Sequence, residues 1–99
     1  MNPRAQWNKI KKLNPKTPNA FMNIVHTIIP NLTEWDVISW QRSSTTKSWE
    51  REFCDFIWAY IQIQKGHTKF HTFLNTQWPI VKNIIDTQNL ESAFEQWSI

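Results

Sequence analysis

Residues 46–66 read T-K-S-W-E-R-E-F-C-D-F-I-W-A-Y-I-Q-I-Q-K-G. Trp49, Phe53, Phe56, Ile57, Tyr60 and Ile61 recur at intervals of three and four, which puts them on one side of a helix of about five turns. Glu50, Arg51, Asp55 and Gln62 fall mostly elsewhere. Thr45 or Thr46 is the expected N-cap, with Glu50 and Glu52 near the positive end of the helix dipole. Lys65 and Gly66 mark the exit. Gly66 is the only glycine in the chain, and a glycine used once is best explained by its left-handed backbone, closing the helix and turning the chain.

Upstream, Thr17-Pro18 reads as an N-cap followed by proline in the first turn, where a missing N–H costs nothing. Phe21, Ile24, Val25, Ile28 and Ile29 then form an apolar stripe that Pro30 ends. Thr33 with Asp36 three residues on resembles a capping box and opens a helix to about Arg42. Trp35, Val37, Ile38 and Trp40 are too crowded for one narrow stripe there. Either that helix is buried on two sides, or one tryptophan, Trp35 or Trp40, faces solvent. Ser43 to Thr46 form a polar link, read as a flexible loop.

Downstream, Phe70, Phe73 and Leu74 resume helical spacing, a break is expected at Asn75 to Pro79, and Ile80, Val81, Ile84 and Ile85 give another stripe. Asn89 is a plausible cap for a last helix carrying Leu90, Ala93, Phe94 and Trp97. Strands are argued against by the three-and-four spacing and by the absence of Asn-Gly or Asp-Gly turns. The expectation is an all-α fold, a compact antiparallel bundle of five to six short helices, six when counted from Pro18. Ninety-nine residues fit a single domain, placed at 18–99. Residues 1–17 form a basic arm or a short helix between Pro3 and Pro15, with Trp7, Ile10 and Leu13 against the body.

Charge is unevenly placed. Five of the eleven basic residues, Arg4, Lys9, Lys11, Lys12 and Lys16, fall in the first sixteen positions with no acid among them, leaving six basic residues against eight acids in the rest. Such an arm suits nucleic acid, an anionic membrane surface or an acidic protein face, or it serves as a solvated terminus. Trp7 among those basic residues has the ingredients for stacking with phosphate neutralisation. A helix-turn-helix reader, however, wants a recognition helix rich in Arg, Lys, Gln or Asn, and the candidate helices lack one. The absence of a charged-then-apolar leader, and of any run near the ~18 apolar residues of a membrane span, points to the cytoplasm.

Catalytic signatures are missing: no G-x-S-x-G, no glycine-rich phosphate loop and no H-E-x-x-H. Cys54, the single cysteine, reads as a small buried or half-buried residue. Glu50, Glu52 and Asp55 read as a solvated face beside Arg51. His67 and His71, four apart, are the best metal candidates, with Cys54 or a carboxylate as third ligand, but read more simply as polar residues at a helix start. His26 likewise reads as a partly exposed polar residue. No metal, cofactor or catalysis is expected.

The run 53–74, F-C-D-F-I-W-A-Y-I-Q-I-Q-K-G-H-T-K-F-H-T-F-L, resembles the latter half of bacterial effector-associated, or death-like, adaptor domains. Trp58-Ala59 would be the family's aromatic-small pair, Gly66 its turn, and Phe70, Phe73 and Leu74 its second helical face. Phe21 to Ile29 would match the first core helix, so the resemblance covers about residues 19–80. It implies a non-catalytic module recruiting a partner with a similar domain in bacterial signalling or conflict. The leading expectation is therefore a protein-interaction module, adaptor or inhibitor, binding another protein or itself through Trp35, Trp40, Arg42, Lys47 and Arg51. The alternative is a small nucleic-acid-binding protein using Arg4, Trp7, Lys9, Lys11, Lys12 and Lys16.

Overall fold

A computed structural model describes the backbone of residues 3–97 and the side chains of residues 4–89. Among the described residues the chain is all-α, with five helices. These are α1 (Pro3–Lys12), α2 (Pro18–Ile28), α3 (Glu34–Arg42), α4 (Ser48–Gln64) and α5 (His71–Trp97), with a single 3-10 turn, Thr68–Phe70, leading into α5.

Helix starts and stops follow local chemistry. Thr17 Oγ1 accepts from the Ala20 N–H at 3.1 Å, and Pro18 occupies the first turn of α2. At α3, Thr33 Oγ1 accepts from the Asp36 N–H while Asp36 Oδ2 accepts from the Thr33 N–H, both at 3.1 Å, which completes the capping box. Gly66 adopts φ +97°, and the Gly66 and His67 N–H groups donate to the Ile63 and Gln62 carbonyls at 2.9 and 3.0 Å, a Schellman closure of α4. α1 ends on Asn14 at φ +50°, whose N–H donates to the Lys11 carbonyl. Asparagine tolerates that conformation better than other non-glycine residues do.

α4 is the axis of the molecule. Phe53, Cys54, Phe56, Ile57 and Ala59 are fully buried, with α3 and α5 packed against it. Edge-on ring contacts knit the remaining elements onto it: Phe21 of α2 meets Phe53 and Phe56 at 5.5 and 5.2 Å, and Trp7 of α1 meets Phe53 at 5.9 Å. The pairings Glu34 with Lys65 and Gln41 with Asp55 show that α3 runs antiparallel to α4. Glu52 with Gln77 and Trp58 with Phe70 show the same for α5.

Several expectations are corrected. Three predicted segments after Gly66 are a 3-10 turn and one 27-residue helix, about 40 Å long, so the six helices counted from Pro18 become four plus that turn. Pro79 lies inside α5, where its missing N–H deprives the Asn75 carbonyl of its usual partner; both residues are exposed. Buried Leu74, Gln77, Val81 and Ile85 carry the packed face straight past it. The stripe Leu90, Ala93, Phe94, Trp97 lies outside the described side chains, and Asn89 caps α1 instead, its Nδ2 donating to the Lys11 carbonyl at 3.0 Å.

Neither threonine before α4 is its N-cap. That position is Lys47, without a side-chain cap. Thr46 is buried and its hydroxyl donates to the Trp40 carbonyl, so the link predicted as flexible is tied down at that residue. Of the two alternatives for residues 1–17, an arm or a short helix, the helix is the one seen, as α1, with Trp7 and Ile10 fully buried. Leu13, in contrast, is 60% exposed.

The acids of α4 are a further correction. Glu50 is 2% exposed and accepts from Arg4 Nε at 2.8 Å, reaching α1. Glu52 accepts from buried Gln77 of α5, and Asp55 accepts from Gln41 Nε2 of α3. Three carboxylates read as one solvated face each hold a different helix.

Candidate groove between α3, α4 and α5

α3 contributes Ile38, Gln41 and Arg42 to a groove of about 410 Å³; α4 contributes Asp55 and Trp58, the 3-10 turn Phe70, and α5 Phe73. Ile38 lies three and four residues before Gln41 and Arg42, and Asp55 three before Trp58, so α3 and α4 each present one face to the same space. Trp58 and Phe70 meet edge-on, 5.0 Å between centroids and 88° between planes. Phe73 is 42% exposed, and none of the seven lining residues is fully buried. Trp35 stands one turn before Ile38 on α3 and is 73% exposed, against 41% for Ile80, two turns beyond Phe73 on α5.

The polar groups in this apolar setting are few. Asp55 is half-buried and accepts from Gln41 through Oδ1. Burial, reinforced by the charge of Glu52, holds its carboxyl above the ordinary aspartate range, while the Gln41 hydrogen bond opposes that shift. Arg42 stands exposed at the edge. Among the described residues, neither Asp55 nor Arg42 forms an ion pair.

The five interaction residues expected from sequence do not form one patch. Arg42 lines the groove, and Trp35, outside its lining, is exposed one turn before Ile38. Trp40 is half-buried, edge-on to fully buried Trp7 at 5.3 Å, and belongs to the core. Arg51 is exposed and its guanidinium approaches the Ser43 carbonyl at 3.4 Å. Lys47 sits where its charge acts on Lys11 of α1.

The basic set is divided as well. Trp7 is buried, which removes it as a stacking platform. Arg4 bonds Glu50 and the Thr45 carbonyl, each at 2.8 Å. The Lys11 ammonium lies 3.9 Å from the Trp49 ring centroid and donates to Gln88; burial lowers its pKa, with Glu50 opposing and Lys47 adding to the fall. Lys9, Lys12 and Lys16 remain exposed.

Cys54 is buried and its thiol is pushed up to about 12 by desolvation, with Asp55 and Glu50 adding to the shift. His26, His67 and His71 are exposed, and no group of three or more His, Cys, Asp or Glu side chains that could hold a metal occurs among the described residues. No helix of the described residues is long and apolar enough to cross a membrane.

Sequence reasoning missed Ile38, Gln41, Asp55, Trp58, Phe70 and Phe73 as a single site. One signal was present: Trp58 is an aromatic lying off the stripe through Trp49, Phe53, Phe56 and Tyr60. No known protein family, curated protein or solved structure matches this chain.

Proposed function

We propose that this chain is a non-catalytic protein-interaction module, an adaptor or inhibitor, that docks a partner protein in the groove between α3, α4 and α5. The observation that carries this reading is an open aromatic lining, Trp58, Phe70 and Phe73, with Trp35 73% exposed one turn before Ile38 on α3. Exposed contiguous aromatic surface is costly in water and is characteristic of protein contact sites, where tryptophan, phenylalanine and arginine are enriched. The resemblance of residues 53–74 to death-like adaptor domains supports recruitment as the role, with a like domain as one class of partner. The exposed Lys9, Lys12 and Lys16 lie outside this groove, and a docking role leaves them as solubilising charge.

The test is selection of a displayed random-peptide library on the whole chain, counter-selected on Phe73→Ser, alongside light scattering with and without a short mixed-sequence nucleic acid. The expected result is groove-dependent peptides or groove-dependent self-association. A chain that binds only nucleic acid, through Lys9, Lys12 and Lys16 and only at low salt, overturns the reading.

A further inference from the structure

The groove carries a charge pattern as well as an apolar floor. Its one lining acid, Asp55, is half-buried, close enough to Glu52 to feel that charge, and held by Gln41 through one oxygen. A carboxylate in such a place is normally paired, because desolvation is repaid only by a nearby cation or several hydrogen bonds. Nearby, Lys65 pairs with Glu34 and Arg4 with Glu50, Arg51 reaches towards Ser43, and the Lys69 ammonium stands over the Phe70 ring, 5.4 Å from its centroid. Arg42 lines the same groove at its exposed edge and makes no ion pair with Asp55. The arrangement is an acid within an aromatic floor and a base at the rim.

Resting on the docking role above, we infer that the groove selects a protein segment in which an apolar side chain, seated on Trp58, Phe70 and Phe73, is flanked by a lysine or arginine that pairs with Asp55. An acidic residue further along that segment meets Arg42. A protein segment fits better than a small molecule. All seven lining residues keep some contact with solvent, whereas small ligands are held in sites that enclose most of their surface.

The experiment is the peptide selection read for composition, followed by affinities for the wild-type chain, Asp55→Asn and Phe73→Ser, each first confirmed as folded by circular dichroism and melting. Asp55→Asn keeps the shape and an oxygen for Gln41 while removing the charge. The expected consensus holds a basic residue beside an apolar anchor. Asp55→Asn weakens the best peptide about tenfold or more, as close charge pairs at interfaces do. A peptide with glutamine at the basic position binds wild type and Asp55→Asn alike, closing a double-mutant cycle. Peptides lost on Phe73→Ser but lacking a basic residue, or indifferent to Asp55→Asn, overturn this inference and leave the docking role standing. A dimer sensitive to Phe73→Ser with no peptide selected overturns it in favour of a second copy as occupant. No binding of any kind sensitive to Phe73→Ser overturns both.

Discussion

Gly66 holds φ +97°, and a Cβ built there would meet nothing within 4 Å. The demand for glycine is thus set by the backbone rather than by crowding. Gly66→Ala is expected to destabilise the fold by about 1–2 kcal/mol in chemical denaturation, the cost of a left-handed conformation for an L-residue. A smaller loss in Gly66→Asn would confirm that origin. Cys54 makes the opposite point, since its surroundings rather than its backbone define it. With its thiol raised from 9.0 to about 12, native protein at neutral pH should resist thiol alkylation until it is unfolded. The sign of the linkage follows: ionisation is disfavoured in the folded state, so the stabilisation is complete below about pH 9 and is lost as pH climbs towards 12. Rapid alkylation of native protein would contradict the burial.

At the scale of elements, α3 distributes two tryptophans to two different tasks. Trp40 packs edge-on against Trp7 and closes the core beside α1, whereas Trp35 has 73% of its surface in water. Trp40→Ala should lower the melting temperature substantially, by about 2–4 kcal/mol of stability for a half-buried aromatic, somewhat below the full cost of a buried one. Trp35→Ala should fall within about 0.5 kcal/mol of wild type. Equal melting temperatures for the two variants would mean that the crowded stripe of α3 is not partitioned in this way. α5 departs from expectation at its proline: a break was expected at Asn75 to Pro79, but Pro79 lies inside the helix, where its missing N–H deprives the Asn75 carbonyl of its usual partner.

For the whole molecule, the principal consequence is that the basic N-terminal segment is part of the fold. Trp7 and Ile10 are fully buried, Arg4 neutralises Glu50, and Lys11 and its carbonyl bond to Gln88 and Asn89 of α5. Deleting residues 1–16 would therefore confound loss of charge with loss of core. Replacing Lys9, Lys12 and Lys16 with glutamine should leave the denaturation midpoint within about 0.5 kcal/mol of wild type. Trp7→Ala should cost about 3–5 kcal/mol, a large part of what holds a domain of this size together. If the two variants are equally stable, α1 is not a structural element of the core.

What the sequence determined by itself was local: the caps at Thr17 and Thr33, the turn at Gly66, the stripe of α2 and the all-α class. Each depends on groups within about four residues, so the chemistry is complete in a short window. The apolar stripe of α4 was also legible, but not the roles of its acids. Glu50 is buried because Arg4, 46 residues away, is brought to it, and Asp55 lines a groove because Gln41 and Phe73 come from other helices. A charged side chain has the same local spacing whether it meets water or a partner. Only the tertiary structure decided which, because burial and pairing are properties of the elements packed around a residue and not of its neighbours in the chain.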